Sequence, residues 1–150
     1  MASCFKIYPD KKNRKLYFMV TVWDSKKKMY EFYDSIEERF KECDSIDKNK
    51  YEHNFVGMSF PYRLYIKKTM KMRQEIGQIL LCKGNLSSEI LSHECTHAAL
   101  HYIRVLKEEY KENNIYDNPL EIEYEEVLCY VQGDMTQQLV NKLYKEGYYN

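Results

Sequence analysis

Polar and hydrophobic positions alternate through the first half of the chain and recur at helical spacing through the second. Phe5-Lys6-Ile7-Tyr8 alternates, and Pro9 to Arg14 has the composition of a turn. Leu16 to Trp23 is β-branched and aromatic, which favours a strand. Asp24-Ser25-Lys26-Lys27 marks a second turn, and Met29-Tyr30-Glu31-Phe32-Tyr33 alternates again. These three runs predict an antiparallel meander. Residues 34–54 are polar and charged; Ser35 to Phe40 can start a short helix capped by Asp34 or Ser35. Phe55 to Phe60 reads as a strand that stops at Pro61, with Tyr62 to Ile66 continuing the sheet. Gln74 to Cys82 is the last strand, and Lys83-Gly84-Asn85 turns the chain.

From there the period changes. Ser87 or Ser88 can cap a helix running to about Glu112, with Ile90, Leu91, Ala98, Leu100, Ile103, Val105 and Leu106 as its apolar surface. Tyr116 to Pro119 is a loop, and a second helix runs from about Leu120 to Glu146. An N-terminal antiparallel or mixed sheet followed by two long helices predicts an α+β domain rather than a doubly wound one.

At 150 residues and 44% apolar content the chain is expected to form a single domain over residues 1–150. No apolar run is long enough to span a membrane, and Met1 to Lys6 lacks the basic-then-apolar pattern of a signal peptide. The five cysteines are odd in number and contain no C-x-x-C pair, which predicts buried free thiols in a reducing cytoplasm. The formal net charge is zero, so no nucleic-acid partner is expected. Residues 1–83 nevertheless carry 18 Lys and Arg against 11 Asp and Glu, and residues 84–150 carry 5 against 12. Because the Lys clusters fall where turns are predicted, basic turns and acidic helix faces account for this split.

The chemistry concentrates in Ser92-His93-Glu94-Cys95-Thr96-His97-Ala98, which contains H-E-x-x-H. On a helix, residues four apart share a face, so two imidazoles can converge on one zinc ion at about 2.0–2.1 Å each. Glu94 lies beside His93, able to reach a zinc-bound water as general base without joining both histidines as a ligand. The alternative is a buried helix whose histidines only form hydrogen bonds, an expensive arrangement without a metal or partners.

A third ligand must come from elsewhere. His101 extends the ladder, but it lies about 12 Å from His93 along a straight helix, too far for one ion. It is either near the substrate or simply an exposed helical histidine. The pattern with Gly and His three and six positions after His97 is absent, since Leu100 and Ile103 stand there. His53 lies in a polar stretch that gives no reason to ligate. Glu123, Glu125 and Glu126 on the second helix are the better source. Glu126 shares a stripe with Tyr130, Gly133 and Gln137, and Gly133 is expected to let the two helices approach closely. Glu125 shares its stripe with Cys129, Gln132 and Thr136. Glu126 is preferred.

The chain resembles the gluzincin branch of zinc peptidases, which pair H-E-x-x-H with a glutamate from a later helix. It resembles more closely small metallopeptidases encoded by phages and prophages, which combine an H-E-C-x-H helix with a helix reading E-A-x-A-Y-x-x-G. Here the second motif is Glu126-Val127-Leu128-Cys129-Tyr130-Val131-Gln132-Gly133, with Val127 and Cys129 in place of the two small residues. The likeness covers about residues 76–140. It implies a zincin-like fold and Zn2+ bound by His93, His97 and Glu126, with Glu94 as base. It also implies an edge strand before the motif helix that binds an extended peptide. Ile76 to Cys82 would hold that place, with Ile79 and Leu80 beside the substrate. Tyr130, and the C-terminal Tyr144, Tyr148 and Tyr149, are candidates to stabilise the oxyanion. The expected function is a zinc-dependent metallopeptidase acting on a peptide or protein in the cytoplasm, the host's if the chain is phage-encoded. The alternatives are a phage-type binding or inhibitor protein on a zincin scaffold with a non-catalytic zinc, and a zinc hydrolase of a non-peptide bond.

Overall fold

The computed structural model describes residues 1–39, 55–62, 73–112 and 121–149, without the side chains of residues 37–39, 108–112 and 121–124. The elements run β1 (Ser3–Ile7), β2 (Tyr17–Trp23), α1 (Lys26–Arg39), β3 (Gly57–Pro61), β4 (Glu75–Cys82), α2 (Ser88–Glu112) and α3 (Glu121–Lys145). The expected continuation over residues 63–66, His53, Cys43 and the loop before α3 lie outside the described residues. The four strands form one mixed sheet in the order β1-β2-β4-β3. β1 and β3 are antiparallel to their neighbours, and β2 runs parallel to β4. The class is α+β, as expected.

β4 is the centre of the molecule. It pairs with β2 on one side and β3 on the other. Both faces are covered, which explains the continuous apolar stretch Ile79-Leu80-Leu81-Cys82. Ile79 and Leu81 face a core built with Phe18, Val20, Val22, Leu91, Cys95, Ala98, Met135 and Leu139. Leu80 and Cys82 face the other core, with Met29, Tyr33, Ile36, Met58 and Phe60. An irregularity between Tyr17 and Phe18 adds one residue to β4 and brings Ile76 to the first core as well. α1 therefore covers one face of the sheet, and α2 with α3 covers the other.

The run Met29–Tyr33 is helix, not a third meander strand. Met29, Tyr33 and Ile36 stand at i, i+4 and i+7 and are all buried against β4 and β3. A five-residue window cannot separate that spacing from alternation, because i and i+4 satisfy both periods. Ser25 caps the helix, its Oγ accepting from the Lys28 amide at 3.3 Å. The cap thus stands nine or ten residues before the expected one at Asp34 or Ser35.

Ser87 is the cap of α2, accepting from the Ile90 amide at 3.3 Å. α3 is tied to β1 from both ends of one side chain: Gln138 Oε1 accepts from the Tyr8 amide at 2.9 Å and its Nε2 donates to the Tyr8 carbonyl at 2.8 Å. Tyr148 shares a hydrogen bond with Ser3 at 2.7 Å, and Tyr149 donates to the Leu86 carbonyl at 2.6 Å. Those two tyrosines anchor the C-terminus. Of the four described cysteines, all free, Cys82 and Cys95 are buried but Cys4 and Cys129 are exposed, against the expectation that the thiols are buried. No helix among the described residues is long and apolar enough to cross a membrane.

Gly77 is fixed by its neighbours: a Cβ there would stand 2.7 Å from Phe18 Cε1 and 2.8 Å from the Phe60 carbonyl oxygen. Since that oxygen belongs to a paired strand, it cannot move aside cheaply. Gly77→Ala is expected to lower unfolding stability by about 1–3 kcal/mol in a denaturant titration, the usual range for overpacking.

Candidate metal and acid–base site

α2 is half in and half out of the molecule, and its motif uses both sides. Leu91, Cys95, Ala98 and Ala99 are buried, while His93 and His97 are exposed. The two imidazoles converge, with Nε2 atoms 3.2 Å apart and ring centroids 4.8 Å apart. Glu94, one position on, turns about 100° around the helix into the protein and is only 5% exposed. There it meets β3. A Cβ on Gly57 would lie 3.2 Å from Glu94 Cγ and 3.4 Å from its Oε1. The backbone amide of Ser59 donates to the Glu94 carboxylate.

The electrostatics follow from these positions. Burial pushes the Glu94 carboxyl up to about 7, with the Ser59 hydrogen bond pulling weakly the other way. Among the described residues no Lys or Arg pairs with it. Burial, with the charges of His93 and Arg104, lowers the His97 pKa and favours the neutral ring that a metal requires. Cys95 is fully buried in the core under α2, and that burial pushes its thiol up to about 12 although Thr136 hydrogen-bonds to it, so it packs among Ile79, Leu81 and Ala98.

The imidazole pair fits a metal. Two nitrogens bound tetrahedrally at 2.0–2.1 Å stand about 3.3–3.4 Å apart, against the 3.2 Å found. A single N–H···N bond between neutral rings has the same length. No third His, Cys, Asp or Glu joins the pair among the described residues. The protein thus presents two convergent donors and a buried carboxylate, with the rest of the sphere open to another side chain or water.

No family model, curated protein or solved structure matches this chain.

The remaining expected residues fare differently. Ile79 and Leu80 are fully buried in a strand paired on both sides, so they cannot bind an added peptide strand. The strand beside the motif is β3, which has no partner on its outer edge among the described residues. Gly133 does not bring the helices together, because a Cβ on it would meet nothing within 4 Å. The stripe of Glu126, Tyr130, Gly133 and Gln137 is exposed, Tyr130 by 73%. The neighbouring stripe makes the contact instead: Gln132 Nε2 donates to Ser92 Oγ at 2.9 Å, and Thr136 bonds Cys95. Glu125 lies on that stripe and is also exposed.

His101 is neither ligand nor simple surface residue. Its ring packs edge-on to Phe18 at 6.2 Å, its Nε2 is buried without a hydrogen-bond partner among the described residues, and burial drops its pKa to about 4. The residues missed from sequence are Gly57 and Ser59. The signal was faint: a glycine in a predicted strand marks a close approach, but not what approaches.

Because Glu94 holds its proton more tightly folded than unfolded, the folded state binds more protons between about pH 4.5 and 7. Glu94 by itself should therefore lower the stability of metal-free protein as pH rises through that window, by up to about 3 kcal/mol, while the lowered pKa of His101 acts in the opposite direction. The Glu94 part is the difference between wild type and Glu94→Gln, which should be less stable relative to wild type at low pH than at high pH. Denaturant titrations of the two proteins at pH 5 and pH 8 check this.

Proposed function

We propose that the chain is a zinc-dependent peptidase with a zincin-like fold, in which His93 and His97 bind zinc and Glu94 is the general base. The observation that carries this is the 3.2 Å approach of two exposed Nε2 atoms one turn apart, beside a carboxylate withdrawn from water. A mixed sheet whose antiparallel edge strand lies against the motif helix supports the fold reading.

When bound, zinc would supply Lewis acidity and a water whose pKa is brought near neutrality. The protein does the rest. His93 and His97 offer lone pairs from a rigid helix, so little order has to be created on binding. Glu94 sits where its carboxylate is poorly solvated, which makes it a stronger base than a surface glutamate. The outer edge of β3 offers backbone groups to a peptide in extended form. The resemblance of the second motif names Glu126 as third protein donor, whereas α3 meets α2 through the stripe of Glu125, Gln132 and Thr136, so Glu125 is the alternative. Gln132 on Ser92 seats α3 against the first turn of the motif.

Protein purified under zinc-replete conditions should carry about one zinc per chain, and His93→Ala/His97→Ala none. Glu126→Gln should weaken zinc binding at least tenfold while Glu125→Gln does not; the reverse result moves the ligand to Glu125. Glu94→Gln should retain zinc yet lose about 10²–10⁴-fold in hydrolysis of a peptide library followed by mass spectrometry. Wild-type protein that binds zinc and cleaves nothing would instead be a binding protein on the same scaffold.

A further inference from the structure

The hydrogen-bond phase of β3 decides what its outer edge can do. Pro61 pairs with Gly77 and Ser59 with Ile79, and just past the strand the Tyr62 amide donates to the Ile76 carbonyl at 2.9 Å. In an antiparallel pair, bonded and non-bonded positions alternate. Tyr62, Phe60 and Met58 therefore spend their backbone groups on β4, while Pro61, Ser59 and Gly57 direct theirs outward. Pro61 fits this phase, since a residue without N–H is tolerated where no ladder bond is required. The outward amide of Ser59 is the one that meets the Glu94 carboxylate. It can do so because Gly57 lets the strand close on α2, within 3.0 Å of Ile90 Cγ2 and 3.2 Å of Glu94 Cγ for any added Cβ.

We propose that β3 fixes the Glu94 carboxylate, with Gly57 and Ser59 as positioning residues for the base. The edge that would accept a peptide is then also the element that aims the carboxylate. With the Ser59 amide engaged and Pro61 lacking one, that edge is left rich in carbonyls, so it recruits a peptide mainly through the peptide's own N–H groups. The geometry stands by itself; its catalytic consequence rests on the peptidase reading above.

Amide exchange separates the two. In metal-free protein the Ser59 amide should be protected well beyond the Gly57 amide, although both lie on the outer edge. Glu94→Ala should abolish that protection by tenfold or more, Glu94→Gln should largely keep it, and Met58 and Phe60 should not change in either. Ser59 exchanging freely in wild type, or indifferent to Glu94→Ala, overturns the proposal. In zinc-loaded protein with fluorescein-casein as probe, two variants test the catalytic consequence. Ser59→Pro removes the donor at a position that costs no ladder bond, and Gly57→Ala crowds the carboxylate. Both should lower kcat about tenfold or more, with KM and zinc affinity within about twofold. Full kcat in a folded Ser59→Pro protein also overturns it. Protection that depends on Glu94 in a chain that cleaves nothing leaves the positioning intact and removes the peptidase reading instead.

Discussion

A carboxylate taken out of water between a helix and an edge strand is the constraint around which this molecule is organised. Glu94 follows an exposed histidine in sequence, yet the 100° step of the helix carries it into the seam with β3. That seam is narrow only because position 57 has no side chain. Its one identified donor is a backbone amide, which a strand presents outward at every second residue. Helix rotation, strand phase and a glycine must agree for the group to be tolerated. They also fix which way α2 faces, and so leave His93 and His97 in solvent.

The rest of the fold keeps that seam rigid. β4 is held between β2 and β3 and packed from both faces, so β3 is anchored to the stiffest part of the sheet. α1 presses on the far side through Met29, Tyr33 and Ile36, which touch Met58 and Phe60 of β3. α3 holds α2 from behind through Gln132 and Thr136, and is itself bound to β1 through Gln138 and Tyr148. Side chains that look like catalytic candidates by type, such as Tyr148 and Tyr149, turn out to be fastenings.

Legibility in the sequence tracked how local each feature is. α2, α3, β2 and β4 were readable because long periodic runs and a capping serine declare themselves within a few residues. Met29–Tyr33 was misread because five residues satisfy both periods, and the deciding residue, Ile36, lies outside that window. The ordering of strands left a single trace in the sequence. Nothing in Ile76–Cys82 alone distinguishes an edge from a centre except the absence of polar alternation, and that absence pointed to the centre. The motif histidines converge as their i, i+4 spacing requires, because that geometry is internal to one helix. The α3 stripe was misjudged because which face of α3 meets α2 depends on how two helices cross, and Gly133 proved to mark open space rather than a contact.

On the peptidase reading, the same electrostatics link stability to function. Glu94 has a single amide donor and no Lys or Arg partner among the described residues, and burial with the charges of His93 and Arg104 holds His97 toward its neutral form. A neutral imidazole is the form a metal needs, and a carboxylate with a raised pKa is the form that gains most when a dication arrives nearby. Metal binding and deprotonation of Glu94 then favour each other, and by linkage the coupling is equal in both directions. A permanent cationic partner would satisfy the Glu94 carboxylate before any metal arrived. It would also leave nothing for the metal to relieve and hold the base idle. A buried carboxylate that has an amide donor but no cationic partner is, in this view, what makes the unloaded site receptive to a cation.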